Sequence, residues 1–372
     1  MITETPPGTA NGFGVTLENL LGNIDCDVVY TDPSFKEQVR NKGYIHAHCP
    51  YHRSKKALIL FFLGLIPEWR GIYSNLWFWI FLRKKYSIVY VFLYSIDVLK
   101  FASWVSSKKK SLLFVHIADH NPSFENDEKF RSILKSAYKV ACIGRNMRDE
   151  YQQIVNREFE VFHNLADDSY LPLPPPITHN FSKKNAFKLL FIGSLFKTLH
   201  AGAVDDVCTA VRELNQEGYP VEFHIYGQIV PSNFLSSKIN GQSVTHHGLI
   251  ATEERFKIMN EHHAYVIPAS FDSKIQQEYC YSIPTKLPEL LVSSRPTIIY
   301  GPSTMEAHRF CTEYDCGILI DKPSVDHLKD MMLKLLESYD NFLHKCHEQS
   351  TKIHPLVAKS SQLPVFENFL YN

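Results

Sequence analysis

The run Tyr279-Cys280-Tyr281-Ser282-Ile283-Pro284-Thr285-Lys286-Leu287-Pro288-Glu289 leads a loop into an apolar helical pattern. It carries a lysine just inside the helix start and a carboxylate one turn later. Free N–H groups at the start of that helix, together with the Lys286 ammonium, can hold a diphosphate. Glu289 can accept from the hydroxyls of a ribose. A capped surface helix with an ordinary Lys/Glu pair accounts for the same residues equally well. A second candidate is Gly8-Thr9-Ala10-Asn11-Gly12-Phe13-Gly14, ahead of a helix expected over Val15–Leu21. Glycines before a helix let backbone N–H groups approach an anion. The GxGxxG order is absent, and an ordinary loop fits those glycines as well.

The elements that must position these residues alternate along the chain. Strand patterns fall at 27–30, 57–63, 87–93, 112–117, 139–143 and 159–162, with helical patterns at 67–84, 96–106, 125–137 and 147–155. Short β-rich runs between helices predict parallel sheets covered on both faces. Leu171-Pro172-Leu173-Pro174-Pro175-Pro176 cannot continue a helix or a central strand and reads as a stiff linker. The second half repeats the pattern. Strands are expected at 188–193, 222–226, 244–247, 264–268, 296–300 and 318–320. Helices are expected at 203–217, 252–261, 285–293 and 325–344, the last capped by Ser324. The organisation predicted is a first domain over 1–170, a linker over 171–187 and a second domain over 188–350. A tail over 351–372 is expected to cross back to the first domain. Tandem doubly wound domains hold ligands at strand C-termini, in the cleft between them.

With 372 residues, 45% hydrophobic and 21% charged, the chain suits two ordinary globular domains. Its 39 basic and 39 acidic residues cancel, so no overall field favours nucleic acid. No zinc-finger, RNP-type or helix-turn-helix pattern and no GxxxxGK[ST] loop stands out. The eight cysteines are scattered without a CxxC pair, so no structural metal is expected. Their apolar surroundings suit buried free thiols in a reducing, cytoplasmic setting. Residues 1–14 show neither the basic nor the apolar region of a signal peptide. The apolar runs Ala57–Ile66 and Ile88–Phe92 are shorter than the ~18 residues that a membrane-spanning helix needs. Between Arg53 and Lys110, eleven Lys or Arg face two acids, Glu68 and Asp97, and all four tryptophans occur there (Trp69, Trp77, Trp79, Trp104). An anionic membrane interface attracts such a surface. Core aromatics with lysines on a solvated face produce the same pattern.

The order of Ile192-Gly193-Ser194-Leu195, Val221–Gly227, His247-Gly248-Leu249, Val266–Ala269 and Ser282–Glu289 resembles the donor domain of retaining GT-B glycosyltransferases. Within that group it is similar to family four, of the bacterial cell-surface polysaccharide type. The resemblance runs from Lys188 to Asp321 and is patchier before it. There Thr5–Gly14, His116–Pro122 and Phe162-His163-Asn164 occupy corresponding places. It implies an α/β fold of GT-B type, two Rossmann-like doubly wound domains facing each other across a cleft. By position it implies that Glu289, the second glutamate of an E-x7-E pattern, contacts the donor ribose. Tyr281 stands where the first glutamate would fall, and Glu278 or Asp272 could supply that carboxylate. Lys286 resembles a phosphate-neutralising lysine, with Ser282 and Thr285 in the same donor-binding segment. Gly193 and Ser194 match the entry loop. Relatives often carry an arginine after that glycine, and here Lys197 is the nearest cation. Gly248 and Leu249 lie where backbone groups meet the nucleobase, and Gly12 matches the glycine loop facing the diphosphate. His116 and Asp119 resemble the His-x-x-Asp of related first domains, although a lone histidine at a strand end is more often structural.

The implied reaction is transfer of a sugar from a nucleotide-diphosphate sugar to a glycan or lipid-linked acceptor. It would proceed with retention, without a metal or other cofactor, in cell-surface polysaccharide synthesis. His116, Asp119, Lys197 and Lys286 are the catalytic candidates. The partners expected are the donor, the acceptor and, through the basic aromatic segment, the inner face of the membrane. A sugar-nucleotide epimerase on the same architecture and a non-catalytic sugar-nucleotide or glycan-binding protein are the competing readings.

Overall fold

The computed structural model describes residues 1–9, 12–21, 24–47, 83–93, 95–121, 124, 126–170, 181, 185–239, 241–251, 254–276, 280–281 and 283–372. The strand expected over 57–63, most of the helix over 67–84, the proline run at 171–176, Trp69, Trp77, Trp79, Glu278 and Ser282 lie outside them. The chain divides into two compact units. The first comprises Met1–His163 with Leu363–Asn372, and the second Asn164–Gln362.

The first unit contains β1 (Ile2–Thr3), α1 (Gly12–Leu21), β2 (Val29–Tyr30), β3 (Ile45–His46) and β4 (Ile88–Leu93). It continues with α2 (Ile96–Lys109), β5 (Leu112–Ile117), α3 (Glu128–Ser136), β6 (Lys139–Cys142), α4 (Arg145–Val155) and β7 (Glu160–Val161). Among the described residues its seven strands form one sheet in the order β3-β2-β1-β4-β5-β6-β7. Every pairing is parallel, and β4 and β5 are in register from Ile88 opposite Leu112 to Leu93 opposite Ile117. Five of the six residues of β4 and of β5 are buried, as a strand covered on both faces requires. Asp127 caps α3 by accepting from the Phe130 N–H at 2.9 Å. The last turn of α2 carries Lys108 and Lys109, which complement its dipole, and Lys110 closes it in the left-handed region at φ 55°.

The second unit holds β8 (Phe187–Ile192), β9 (Leu195–Phe196), α5 (Lys197–His200), α6 (Ala203–Gln216), β10 (Val221–Tyr226), β11 (Ile229–Val230) and β12 (Val244–Gly248). It continues with α7 (Arg255–Asn260), β13 (Ala264–Pro268), α8 (Leu287–Val292), β14 (Thr297–Tyr300), α9 (Glu306–Glu313) and β15 (Ile318–Ile320). Last come α10 (Val325–Glu337) and α11 (Tyr339–Val357), followed by α12 (Lys359–Tyr371), which belongs to the first unit from Leu363 onward. Six strands make a parallel sheet ordered β12-β10-β8-β13-β14-β15, and β9 pairs with β11 as a small second sheet. The order reverses between β8 and β13, the switch point at which a doubly wound sheet opens a crevice.

Among the boundaries that differ from the sequence expectation, two bear on packing. The single helix expected over 325–344 is two helices that meet at Ser338, whose φ of −131° leaves the helical region. Tyr339 there donates its hydroxyl to the His263 carbonyl at 2.6 Å and ties the second helix to the sheet. The helix expected from Val15 begins at Gly12, so Gly12 and Gly14 belong to its first turn. A Cβ on Gly14 would stand 2.9 Å from the Thr9 backbone, so this glycine permits the loop to fold back on the helix.

Leu363–Asn372 joins the first unit through aromatic edges. Phe366 lies 5.6 Å from Tyr90 and 5.1 Å from Phe162, and Phe369 lies 5.5 Å from Phe114, centroid to centroid. Lys139 Nζ donates to the Phe369 carbonyl at 3.0 Å. Phe366 has no exposed surface. Phe366→Ala should therefore cost about 3–5 kcal/mol in urea unfolding of the full chain. Val365→Ala, at a side chain 51% exposed, should stay within about 0.5 kcal/mol.

Candidate functional site

In the second unit the C-terminal ends of β8 and β10 meet through two glycines. Gly193 has φ 145° and Gly227 φ 135°, and a Cβ on Gly227 would fall 1.9 Å from the Gly193 carbonyl oxygen. No larger residue fits at Gly227. The contact is fixed by Gly193 N–H donating to Tyr226 O at 2.9 Å and Gly227 N–H donating to Gly248 O at 2.7 Å. His246 adds a ring-nitrogen hydrogen bond from Nε2 to Gly227 O at 2.8 Å. Gly248 ends β12 at φ 77°, and the next residue, Leu249, is 79% exposed. Ser194 and Lys197 are exposed beyond the Gly193 turn. Across the switch point, Ser270 N–H donates to Leu199 O at 2.9 Å, joining the exit of β13 to α5. Asp272, one alternative for the missing carboxylate, is exposed and accepts from the Lys274 N–H at 3.0 Å within its own loop.

The segment leading into α8 carries the densest charge. The helix starts at Leu287, with Lys286 as its cap, two residues later than the sequence pattern suggests. Leu287 N–H is taken by Pro284 O at 2.9 Å, and Pro288 has no N–H. This turn therefore presents side-chain charge more than backbone donors. Lys286 Nζ lies 3.3 Å from both carboxylate oxygens of Glu289, and Arg255 Nη1 lies 3.7 Å from Oε1. The three side chains are 20%, 5% and 15% exposed in the order Lys286, Glu289, Arg255. Burial pushes the Lys286 ammonium below the usual lysine range and Arg255 adds to that, while Glu289 acts against both. The trio holds one carboxylate and two cations, an excess of one positive charge in a desolvated place. Asn164 steadies the loop before it, donating from Nδ2 to Ile283 O at 3.2 Å. Thr285 and Tyr281 are half-buried in the same segment.

A row of rings borders the glycine turns. Tyr226 stacks on His247 with centroids 4.2 Å apart and an interplanar angle of 8°. His224 Nδ1 is 2.8 Å from His247 Nε2, and its Nε2 is 3.0 Å from a Glu222 carboxylate oxygen. His262 packs edge-on against His224 at 5.0 Å, and burial lowers its pKa to about 4. Among the described residues no group of three or more His, Cys, Asp or Glu side chains could hold a metal ion.

In the first unit, His116 is the fifth residue of the six in β5 and has no exposed surface. Its Nδ1 is 2.8 Å from the Tyr90 hydroxyl, and Phe92 and Phe162 pack at 4.9 and 6.1 Å between centroids. Burial lowers its pKa to about 3. The residues at the end of β5 are Asp119 and His120. Asp119 accepts from the His120 N–H at 2.9 Å, and His120 Nδ1 is 3.0 Å from the Tyr151 hydroxyl. Gly12 is half-buried at the start of α1. The structure thus brings Gly193, Gly227 and Gly248 together at the ends of their strands, and Lys286 together with Glu289 at the start of α8. His116 is set inside a core. Arg255 and His246 were not singled out in the sequence. Arg255 sits in a charged stretch (Glu253-Glu254-Arg255) without a motif, and the doubled histidine before Gly248 was the one visible sign of the other.

No family model matches the sequence, and no curated protein matches it. Solved structures do match along the whole chain. HepE from Anabaena in complex with UDP superposes with a TM-score of 0.69 at 11% identity, over 99% of this chain and 98% of that one. Sucrose-phosphate synthase from Thermosynechococcus elongatus gives 0.65 at 10% identity, over 99% and 97%. A glycosyltransferase from Rickettsia africae gives 0.63 at 10% identity, over 100% and 98%. The fold is that of the GT-B proteins: two doubly wound α/β units in one chain.

The buried His116 ring gives a pH dependence. Folded, it stays neutral down to about pH 3, whereas an unfolded histidine takes a proton near pH 6.5. Between these values the unfolded state binds one more proton. Its contribution to stability is complete above about pH 6.5 and falls by about 1.4 kcal/mol per pH unit as pH drops towards 3. Proton uptake on unfolding at pH 5 should be lower by about one in His116→Leu. Equal uptake in both chains would assign that proton elsewhere.

Proposed function

We propose that this protein is a glycosyltransferase that takes a sugar from a nucleotide-diphosphate donor held by the second unit. The observation that carries this reading is the buried trio of Arg255, Lys286 and Glu289 in a GT-B sheet. An excess cation with a desolvated carboxylate beside it suits a ligand that has both an anionic diphosphate and hydroxyls. Lys286 would meet the diphosphate, and Glu289 Oε2, buried and without a hydrogen bond, would accept from a ribose hydroxyl. The Gly193, Ser194 and Lys197 loop, Thr285 and the Gly248-Leu249 turn complete the donor side, with the nucleobase at the latter. HepE has been crystallised with UDP and with UDP-glucose, which favours a UDP-sugar here.

In the reaction, the bond between the anomeric carbon and the donor phosphate oxygen breaks, and the oxygen keeps the electron pair. Charge grows on the diphosphate as it leaves, and cations already in place stabilise it without reorganisation. The acceptor hydroxyl attacks from the departing face, so configuration is retained, and its proton passes to the leaving phosphate oxygen. No protein nucleophile and no metal ion is needed. Lys197 and Lys286 are the leaving-charge candidates, with Gly12, His116 and Asp119 on the other unit. For His116 the role is indirect, since a neutral buried ring orients its strand instead of exchanging protons. The acceptor proposed is a glycan or lipid-linked sugar of a cell-surface polysaccharide, handled at the inner face of the membrane. No described helix is long and apolar enough to cross a membrane.

Purified protein incubated with UDP-, GDP- and dTDP-sugars and a lipid extract should release nucleotide only when acceptor is present. Release of an altered sugar would indicate epimerisation, and binding without turnover a non-catalytic protein. Lys286→Ala and Glu289→Ala should each lower donor use about ten-fold or more, the loss of a charge-assisted hydrogen bond. Wild-type kinetics in both would remove the site from consideration. Sedimentation with anionic vesicles at low salt should show binding that salt weakens. Failure to sediment would remove the membrane from the reading.

A further inference from the structure

The trio contains one more cation than the donor reading uses. Glu289 is 5% exposed, and a carboxylate that deep is costly to bury without a cation at its side. Lys286 is its sole hydrogen-bonded cation among the described residues, through Oε1 at 3.3 Å. Arg255 stands 3.7 Å from the same oxygen, inside ion-pair range and short of a hydrogen bond. If Lys286 turns to a diphosphate, Glu289 loses that partner, and an unpaired buried carboxylate opposes the move. The two cations differ in the way such an exchange needs. Lysine is a point charge on a flexible stem, whereas the guanidinium is a permanently charged fork that fits a carboxylate.

We infer that Arg255 is a positioning residue which takes over Glu289 as Lys286 turns to the diphosphate of a bound nucleotide. The inference rests on the donor reading and adds an exchange of partners to it. The free chain stores Lys286 against Glu289, and the nucleotide-bound chain pairs Arg255 with Glu289 and Lys286 with phosphate. No bond is made or broken, and the net charge of the trio is the same in both arrangements. Part of the positive charge that meets the ligand is thereby supplied by Arg255 without contact.

The test is a double-mutant cycle on the full chain, with UDP, GDP, ADP and dTDP as probes in calorimetric titrations. Arg255→Gln should weaken nucleotide binding about ten-fold, because Lys286 is then retained by Glu289. Arg255→Lys should keep binding within about three-fold, since the charge remains. In a Glu289→Gln background, where no carboxylate needs a cation, Arg255→Gln should change affinity by less than about two-fold. A second readout is the alkaline limb of binding against pH. Arg255 is one of the groups that lower the Lys286 pKa, so Arg255→Gln should move that limb to higher pH. A residue that only supported folding would not move it in that direction.

Wild-type binding with an unchanged Arg255→Gln affinity, or with losses that add in the double variant, overturns the exchange and leaves the donor reading standing. Absence of nucleotide binding by the wild-type chain overturns both. A structure of the nucleotide complex decides the matter if Arg255→Gln does not fold. Arg255 within hydrogen-bond distance of Glu289 supports the exchange, and Lys286 still bonded to Glu289 overturns it.

Discussion

A carboxylate almost wholly out of water, with cations on two sides, is the constraint around which the second unit is arranged. Glu289 is 5% exposed, and the cost of taking its carboxylate out of water is offset by Lys286 and Arg255 within ion-pair range. That condition ties the loop before α8 to α7, two segments separated by β13. The α8 helix itself has six residues, with a proline at its second position and its first N–H already bonded. Such a helix contributes little macrodipole, so the charge at its start is that of the side chains. The Asn164 amide holds Ile283 O, three residues before Lys286.

The glycine turns supply the complementary requirement, close approach of backbone. Gly227 lies against Gly193 with no room for a methyl group, and the hydrogen bonds from Gly193 to Tyr226 and from Gly227 to Gly248 join three strand ends into one surface. A parallel sheet is otherwise splayed at its C-terminal edge, because each strand leaves for a different helix. The His246 contact to Gly227 O pins the outermost strand to the same point. Charge and backbone are thus fixed within the second unit by different means: buried ion pairing at α8 and missing side chains at the turns.

Much of this was legible in the sequence, and what was not has a physical reason. Parallel strands buried on both faces announce themselves as apolar runs, so β4, β5, β8, β13 and β14 were readable. The positions of Gly193, Gly227 and Gly248 followed from strands ending in glycine. Lys286 and Glu289 stood out by their spacing on a short helix. Arg255 did not, because its partner is more than thirty residues away and no periodicity links an ion pair across a strand. The division of the 325–344 pattern was equally hidden. Both halves are good helix formers, and the break at Ser338 is imposed by the tertiary bond from Tyr339 to His263 O.

His116 shows how far residue type alone can mislead. A histidine three residues before an aspartate, near a strand end, has the spacing of an acid-base pair. One residue decides between roles: the ring belongs to the penultimate position of β5, inside the aromatic packing of Tyr90, Phe92 and Phe162. Burial keeps it uncharged across the physiological range, so it cannot shuttle protons there. What it can do is orient. Its bond to Tyr90 joins β4 and β5 within the sheet, and Tyr90 in turn meets Phe366 of the C-terminal helix. A neutral hydrogen-bonded ring in that place fixes the strand that carries Asp119 and His120 to its end.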